Sequence, residues 1–509
     1  MSEAIAGERG AGIPRLLKNT RVYFIGNALN RMGAFLLLPL YTRYLTPGQY
    51  GSLELVFVSV ALVKIMMGMN LSHATLRFHF EYETKSDRDA LTSTLLLFVN
   101  LWGLLFMLLL IALSRPFSIG MTGSDAYAFL FFLGFILLFF EVASEAPLAC
   151  LRAQEQSTLF VASSGLHLIF RVALNIYLVV ALQKGVEGVL IGNILASATL
   201  WGFLSVMTLK NKRLCYDRQK MGALLKYSLP LALAALPGLF IKNADRLFLG
   251  WYASLDVLGL YALAMRFQMI LDGFVLEPFH LGFGPFRFSI MRQENAARTL
   301  ATLLTWFALL LCFGGLLIIL LSPEVIVLLA DRSFHEAYKI IPLLILVTFL
   351  RGIHYVFQSG ILIAKQTKVI PPITAASAVL NIAALYFLTP RFGAIGAALA
   401  LVLASLLDTA LTYHFSQRVY PVPFELGRIG KILAAAVLVF AAASLIESLI
   451  GPLALWSGVV IKLALGIFVF PLLLFLFRFP TQQELKTIGD VTEQIRTKLY
   501  LFRRGAVQS

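Results

Sequence analysis

The chain has 509 residues, 59% of them hydrophobic and only 14% charged, with a mean hydropathy of +0.83. Soluble domains use roughly one-quarter charged residues, so this composition describes a polytopic membrane protein with no room for a soluble domain of useful size. The net charge of +15 is spread over short connections between apolar stretches rather than gathered in one block, which excludes a nucleic-acid partner and leaves the charge to report orientation.

In chain order, the polar opening MSEAIAGERGAGIPRLLKNTR lacks the h-region and small-residue cleavage site of a secretory signal. Fourteen apolar stretches then read as spans, near residues 20–42, 50–72, 91–113, 126–147, 157–182, 186–208, 227–250, 256–285, 299–321, 337–363, 369–389, 393–416, 431–450 and 455–477. Connections on one side collect Arg15, Lys18, Arg21, Lys85, Arg88, the KNKRLCYDRQK loop from Lys210, Arg292, Arg298, Lys365, Lys368, Arg418 and Arg428. The other side holds little beyond Arg43, Arg115, Lys184, Arg332, Lys339 and Arg391, so the positive-inside rule places both termini in the cytoplasm. In the tail, Leu485, Ile488, Val491, Ile495 and Leu499 recur at helical spacing among basic residues, which suits an amphipathic surface helix or a plain solvated one.

The chain repeats itself. YLTPGQYGSL from Tyr44 pairs with YASLDVLGLY from Tyr252, setting Thr46 on Ser254 and Gly51 on Gly259, an offset of 208 residues. LRAQEQS from Leu151 resembles LIAKQTK from Leu362, and LNIYLVVALQKGVEGVLIGN from Leu174 resembles LNIAALYFLTPRFGAIGAALA from Leu380, with Asn175 on Asn381, Gly185 on Gly393 and Gly188 on Gly396. Six spans fit in that offset, so the expected fold is all-α with two parallel six-helix repeats, 1–210 and 211–424. Two further transmembrane helices follow in 425–480, and then a cytoplasmic tail, 481–509.

Eight basic residues fall inside spans: Arg31, Lys64, Arg171, Lys242, Arg246, Arg266, Arg351 and Lys462. At roughly 2.5–3.5 kcal/mol each, facing all of them to lipid would cost about 20–28 kcal/mol, so they face protein or water. Acidic residues in spans are Glu54, Glu141, Glu145, Asp245, Asp272, Glu277 and Asp408. For any one base, a buried ion pair or hydrogen bond is an adequate explanation, and snorkelling is expected for Lys462 and for Glu54 near a span end. The set is better explained by a net-cationic aqueous cavity, because Arg31, Lys64, Lys242 and Arg266 have no like-spaced acid on their own helix. Lys242 and Arg246 share a face, His167, Arg171 and Asn175 recur every four residues, and so do Arg351, Tyr355 and Gln358 with His354 beside them. Such a cavity selects a phosphorylated or acidic substrate.

NTRVYFIGNALNRMGAFLLLPLYTRYLTPGQYGSLELV (19–56), NADRLFLGWYASLDVLGLYALA (243–264) and the Asn381–Gly396 segment resemble the oligosaccharide flippases and polysaccharide biosynthesis proteins of the multidrug/oligosaccharidyl-lipid/polysaccharide (MOP) exporter superfamily. The resemblance covers nearly the whole chain. It implies a multi-pass protein of the bacterial inner membrane that moves undecaprenyl-pyrophosphate-linked oligosaccharide by alternating access. Arg31, Lys64, Arg171, Lys242, Arg246, Arg266 and Arg351 would then line the substrate site, Asp245 would orient Arg246, and Asp272, Glu277, Glu141 and Asp408 would couple transport to a cation or serve as pairing groups. Partner polymerases and glycosyltransferases are implied by the family alone. A monomer suffices, since both halves of the pathway lie in one chain. The rival substrates are the peptidoglycan lipid precursor and, for an antiporter of the same superfamily, cationic drugs, which the surplus of buried bases disfavours. An integral-membrane enzyme is disfavoured too, because no long loop carries paired carboxylates, HExxH, GxSxG or a Walker sequence. Three distant cysteines, Cys150, Cys215 and Cys312, give no metal site and no disulfide framework, and no cofactor is expected.

Overall fold

The computed structural model describes residues 37–210, 212–450, 455–481 and Glu484. Among these there is no strand, and the elements in chain order begin with α1 (Leu38–Tyr44), α2 (Pro47–Gly68), α3 (Leu71–Glu81), α4 (Lys85–Ala112), α5 (Ser114–Thr122) and α6 (Ala128–Ala153). There follow α7 (Ser157–Asn175), α8 (Gly185–Leu209), α9 (Arg218–Tyr252), α10 (Leu255–Leu271), α11 (Glu277–Ile290) and α12 (Ala296–Leu329). The series closes with α13 (Ile341–Ile363), α14 (Ile370–Val419), α15 (Leu426–Ile450), α16 (Leu455–Ala464) and α17 (Phe470–Leu476). Short π-helical turns follow α7, α10 and α16.

Twelve helical segments among the described residues are long and apolar enough to cross a membrane, against the fourteen expected. The difference has two sources. The first expected span, 20–42, lies almost wholly outside the described residues, and so do Arg31 and the amphipathic tail. The eleventh and twelfth run together as the 50-residue α14. A straight helix of that length would be about 75 Å long, more than twice a hydrocarbon core of about 30 Å. Gly393, at φ 54° and ψ −129°, breaks it with a conformation that only glycine adopts freely.

Local sequence dictates how the elements start. Thr46 caps α2 by accepting from Gln49 N at 3.3 Å while Gln49 Oε1 accepts from Thr46 N at 3.0 Å, and Pro47 fills the first helical position, where no amide donor is needed. Ser254 caps α10 by accepting from Val257 N. Thr46 and Ser254 are repeat-related, and other repeat positions also share their geometry. Gly185 and Gly393 take φ of 53° and 54°, and Asn175 and Asn381 are both buried, at 0% and 2% exposure.

The chain packs as two compact units. One holds the described residues up to Gly273 with Ile326–Leu344 and Thr374–Leu407; the other holds Phe274–Val325, Ile345–Ile373 and the described residues from Asp408. In the first unit α6 lies against α2, α3, α4 and α8. Val56 of α2 fits over Gly134 of α6, where an added Cβ would lie 2.5 Å from Val56 Cγ1. The crossing of α2 with α10 is closer still. A Cβ on Gly51 would fall on the carbonyl oxygen of Leu255, 2.9 Å from its carbon, and one on Gly259 would fall on the carbonyl oxygen of Pro47, 2.7 Å from its carbon. The contact is reciprocal between repeat-related glycines.

In the second unit Leu311 packs over Gly352 of α13, and Phe279 of α11 stacks on Phe307 of α12. Lys462 of α16, expected to snorkel, is instead 4% exposed and held 2.6 Å from Glu324 Oε1 and 2.5 Å from Glu447 Oε1. Its two carboxylates come from helices about 140 and 15 residues earlier in the chain. Spacing along one helix gives no sign of them.

Candidate functional site

The charges of the first unit converge on α2, α9 and α10. Glu54, expected to snorkel, is 6% exposed and stands at the centre of a network. Its Oε1 accepts from Arg246 Nη1 at 3.0 Å and its Oε2 from Arg266 Nη2 at 2.9 Å. Arg266 Nε also donates to Tyr50 Oη at 3.2 Å, and Arg246 Nη2 to the Lys242 carbonyl at 3.3 Å. Asp245 accepts from Tyr261 Oη at 2.6 Å through Oδ2, while its Oδ1 lies 3.6 Å from Arg246 Nε, an ion pair without a hydrogen bond. Two carboxylates and two guanidinia make this cluster neutral. It is therefore affordable inside a membrane, where either sign left over would be costly.

A second group surrounds Lys64. Its Nζ lies 3.1 Å from Glu141 Oε2 and 2.9 Å from Glu145 Oε1, both on α6 and one turn apart. The three side chains are 31%, 36% and 44% exposed. Charges that far from full burial cannot be bathed in hydrocarbon, so this group faces water. His167 of α7 lies within electrostatic reach of both Glu141 and Arg171, and its Nε2 is 3.4 Å from Ser197 Oγ. Tyr41 Oη donates to Asn175 Oδ1 at 3.0 Å, and Asn175 Nδ2 donates to Asn193 Oδ1 at 3.1 Å. Besides the Glu54 network, the first unit thus carries the part-exposed Lys64 group and a chain of hydrogen bonds from Tyr41 through Asn175 to Asn193.

Two cations of this unit stand apart. Lys242 is exposed, and among the described residues no carboxylate lies within ion-pair distance of it. Arg171 keeps its Nε buried without a hydrogen-bond partner among the described residues.

In the second unit, Arg351 Nη2 donates to Thr348 Oγ1 at 3.3 Å, and His354 Nδ1 lies 3.1 Å from Asp408 Oδ2. The ring of His280 lies 4.2 Å from that of Tyr355. Glu277 begins α11 and is exposed, while Asp272, the last carboxylate of the first unit before its boundary at Gly273, opens the π-helical turn after α10 and is half-buried.

Sequence spacing found Arg246, Arg266, Lys64 and Asp245 but not what neutralises three of them. Glu54 supplies both guanidinium partners from a helix about 200 residues away, and Glu145 joins Glu141 on Lys64. The four-residue spacing of Glu141 and Glu145 was the one readable sign. Tyr50, Tyr261 and Asn193 carried no charge to draw attention, and they matter only because folding aims them inward.

Residues 16–285, more than half of the chain, match the family described as polysaccharide biosynthesis protein, and the chain belongs to that family. Its fold is that of the MOP-superfamily transporters. The lipid II flippase MurJ in an inward closed conformation superposes with a TM-score of 0.71 at 15% identity, covering 91% of this chain and 98% of that one. A MATE transporter from Vibrio cholerae gives 0.52 at 15% identity, covering 80% and 97%. A multidrug resistance MATE family transporter in an inward-facing conformation gives 0.58 at 14%, covering 76% and 94%. No curated protein matches by sequence at a significant level.

Proposed function

We propose that the protein is a flippase that carries undecaprenyl-pyrophosphate-linked oligosaccharide units across the bacterial cytoplasmic membrane, by alternating access, for assembly of a surface polysaccharide. The observation that carries this reading is Lys242. It lies ten residues, about 15 Å along the axis, from the end of α9 and within the apolar stretch 227–250 expected to span the membrane, exposed and with no ion-pair partner among the described residues. A lysine there is tenable only in water, and its natural complement is an anion that arrives and leaves. Arg246 is one turn away on the same face, and Arg171 adds a further guanidinium in the same unit. Lipid-linked pyrophosphate brings such an anion at the depth of the membrane, and membership of a polysaccharide biosynthesis family supplies the sugar.

On this reading the halves 1–210 and 211–424 rock about the site, and the shared caps and glycine geometry at repeat-related positions support such a division. Both termini are cytoplasmic, membrane lipids surround the protein, and polymerases and glycosyltransferases of the same pathway are its working partners. Glu141, Asp272, Glu277 and Asp408 are the carboxylates proposed for coupling. The peptidoglycan lipid precursor, carried on the same pyrophosphate, is the second substrate to test, favoured by the fold shared with a lipid II flippase.

The test is complementation. Deletion in the host is expected to remove the surface polysaccharide and to leave lipid-linked glycan on the cytoplasmic side, with rescue by the wild type but not by Lys242→Glu. Arrested cell-wall synthesis with surface glycan intact would transfer the assignment to the peptidoglycan precursor. Sensitivity to toxic cations as the sole phenotype would overturn the anionic site.

A further inference from the structure

We propose that Glu54 is a built-in stand-in for the substrate's anionic group, and that its exchange for that group unlocks the junction of α2 with α10. The inference deepens the glycolipid reading above and rests on it for the identity of the anion. The geometry is that of an occupied oxyanion site: one carboxylate spans two arginines from different helices, Oε1 to Arg246 at 3.0 Å and Oε2 to Arg266 at 2.9 Å. Two oxygens of a phosphate present a similar, slightly wider separation and the same kind of charge-assisted bonds to guanidinium forks. What holds the arginines in this state is a group of the protein itself.

Charge bookkeeping gives the exchange its direction. Lys242, Arg246 and Arg266 carry three positive charges against Asp245, and Glu54 offsets one of the remaining two. A pyrophosphate diester bears about two negative charges near neutral pH, against the single charge of Glu54, so it can replace Glu54 on the arginines and neutralise Lys242 as well, while the freed carboxylate turns to water or takes up a proton. Its path is marked by exposure. Lys242 is open, Arg266 is 21% exposed at its side chain, and Arg246 and Glu54 are 10% and 7% exposed. The incoming anion meets Lys242 first and the Glu54 bonds last.

Release of Glu54 has a mechanical consequence, because Glu54 lies on α2 three residues after Gly51. Across α2 and α10 the Glu54–Arg266 bond joins the same two helices as the Gly51–Leu255 and Gly259–Pro47 contacts, and the Tyr50–Arg266 bond lies beside it. The glycine contacts are backbone against backbone and hold only while the helices stay pressed together. Removing the ionic tie therefore leaves the junction to the Tyr50–Arg266 bond and to glycine contacts that lapse as soon as the helices part. Substrate binding and the parting of α2 from α10 become one event.

A cysteine pair reads this directly. Gly48 and Asp256 face each other across the junction, with a Cβ on Gly48 lying 3.0 Å from Asp256 Oδ1. Gly48→Cys with Asp256→Cys, in the full chain with Cys150, Cys215 and Cys312 replaced by alanine, is expected to crosslink readily under mild oxidant. Inorganic pyrophosphate, used as the probe, is expected to slow crosslinking several-fold, and sulfate at matched ionic strength is not. Adding Glu54→Gln is expected to slow crosslinking without any anion and to tighten pyrophosphate binding about tenfold or more, since a charged competitor has been removed. Crosslinking unaffected by pyrophosphate would overturn the proposal, and the wild-type Glu54 background decides this even where the Gln variant folds poorly. Tighter anion binding in Glu54→Gln with an unchanged crosslink would overturn it as well, since the site would then be separate from the junction. Because the probe is inorganic, failure here leaves the complementation result standing. A failed complementation with an intact crosslink response would reject the glycolipid and retain the anion exchange.

Discussion

Replacing Gly51 by alanine separates packing from propensity. Inside a helix the exchange ordinarily stabilises by about 0.5–1 kcal/mol, because alanine loses less conformational freedom. Gly202 of α8 has nothing within 4 Å of an added Cβ, so Gly202→Ala should show that gain. At Gly51 the same methyl lands on the Leu255 carbonyl, 2.9 Å from its carbon and 3.0 Å from Gly259 N, where ordinary contact begins at 3.4 Å. Both neighbours are backbone and cannot rotate aside, so α2 must retreat from α10 by half an ångström or more. Overpacking of this kind costs about 1–3 kcal/mol, which makes the gap between the two variants about 1.5–4 kcal/mol. On the unfolding entropy of about 2 cal/mol/K per residue for soluble domains, a chain of this length would show a gap of a few degrees in Tm. The assay is thermal unfolding of the purified protein in one detergent, followed by intrinsic fluorescence. Gly259→Ala should behave as Gly51→Ala does, and the double variant should cost less than the two together, because the first methyl already parts the helices. If Gly51→Ala and Gly202→Ala move Tm equally and in the same direction, the reciprocal contact does not constrain the fold.

Lys462→Ala strands Glu324 and Glu447 and should cost about 3–5 kcal/mol, seen as a lower Tm and reduced abundance in the membrane. Lys242→Glu, with no ion pair to break among the described residues, should leave Tm within about 1 °C of wild type while abolishing complementation; a large loss of stability would mean that Lys242 has a structural task. Asp217, in the loop before α9, accepts from the backbone N–H groups of Lys220 and Gln219 and from the Lys220 ammonium, and these bonds hold its carboxyl below the usual carboxylate range. Its contribution is thus fully present above the unfolded carboxylate range and lost as pH falls through the lower folded value. The Tm difference between wild type and Asp217→Asn should stay constant from pH 7 to 5 and shrink towards pH 3, and a difference that grows on acidification would contradict the assignment.

Much of the architecture was legible because a membrane leaves few choices. A span must satisfy its own backbone in hydrocarbon, so apolar stretches of sufficient length become helices whatever their neighbours are. The caps at Thr46 and Ser254 and the breaks at Gly185 and Gly393 have causes that lie within a few residues, although in the sequence these positions stood out only as repeat matches. The two spans expected at 369–389 and 393–416 meet at the Gly393 break, and what the sequence left open there is how sharply the chain turns. The candidate site was legible as an inventory. Eight bases inside spans could be counted, but a charge says nothing of what meets it.

Composition, periodicity and the 208-residue offset determined that this is a helical membrane protein with repeated local geometry and a surplus of intramembrane bases. The tertiary structure alone decided which of those bases are spoken for. Glu54 neutralises Arg246 and Arg266, Glu141 and Glu145 hold Lys64, and Glu324 with Glu447 hold Lys462, while Lys242 stays open. The reason is range. Helix formation is governed by neighbours three and four residues apart, whereas an ion pair needs about 3 Å in space and accepts any separation along the chain.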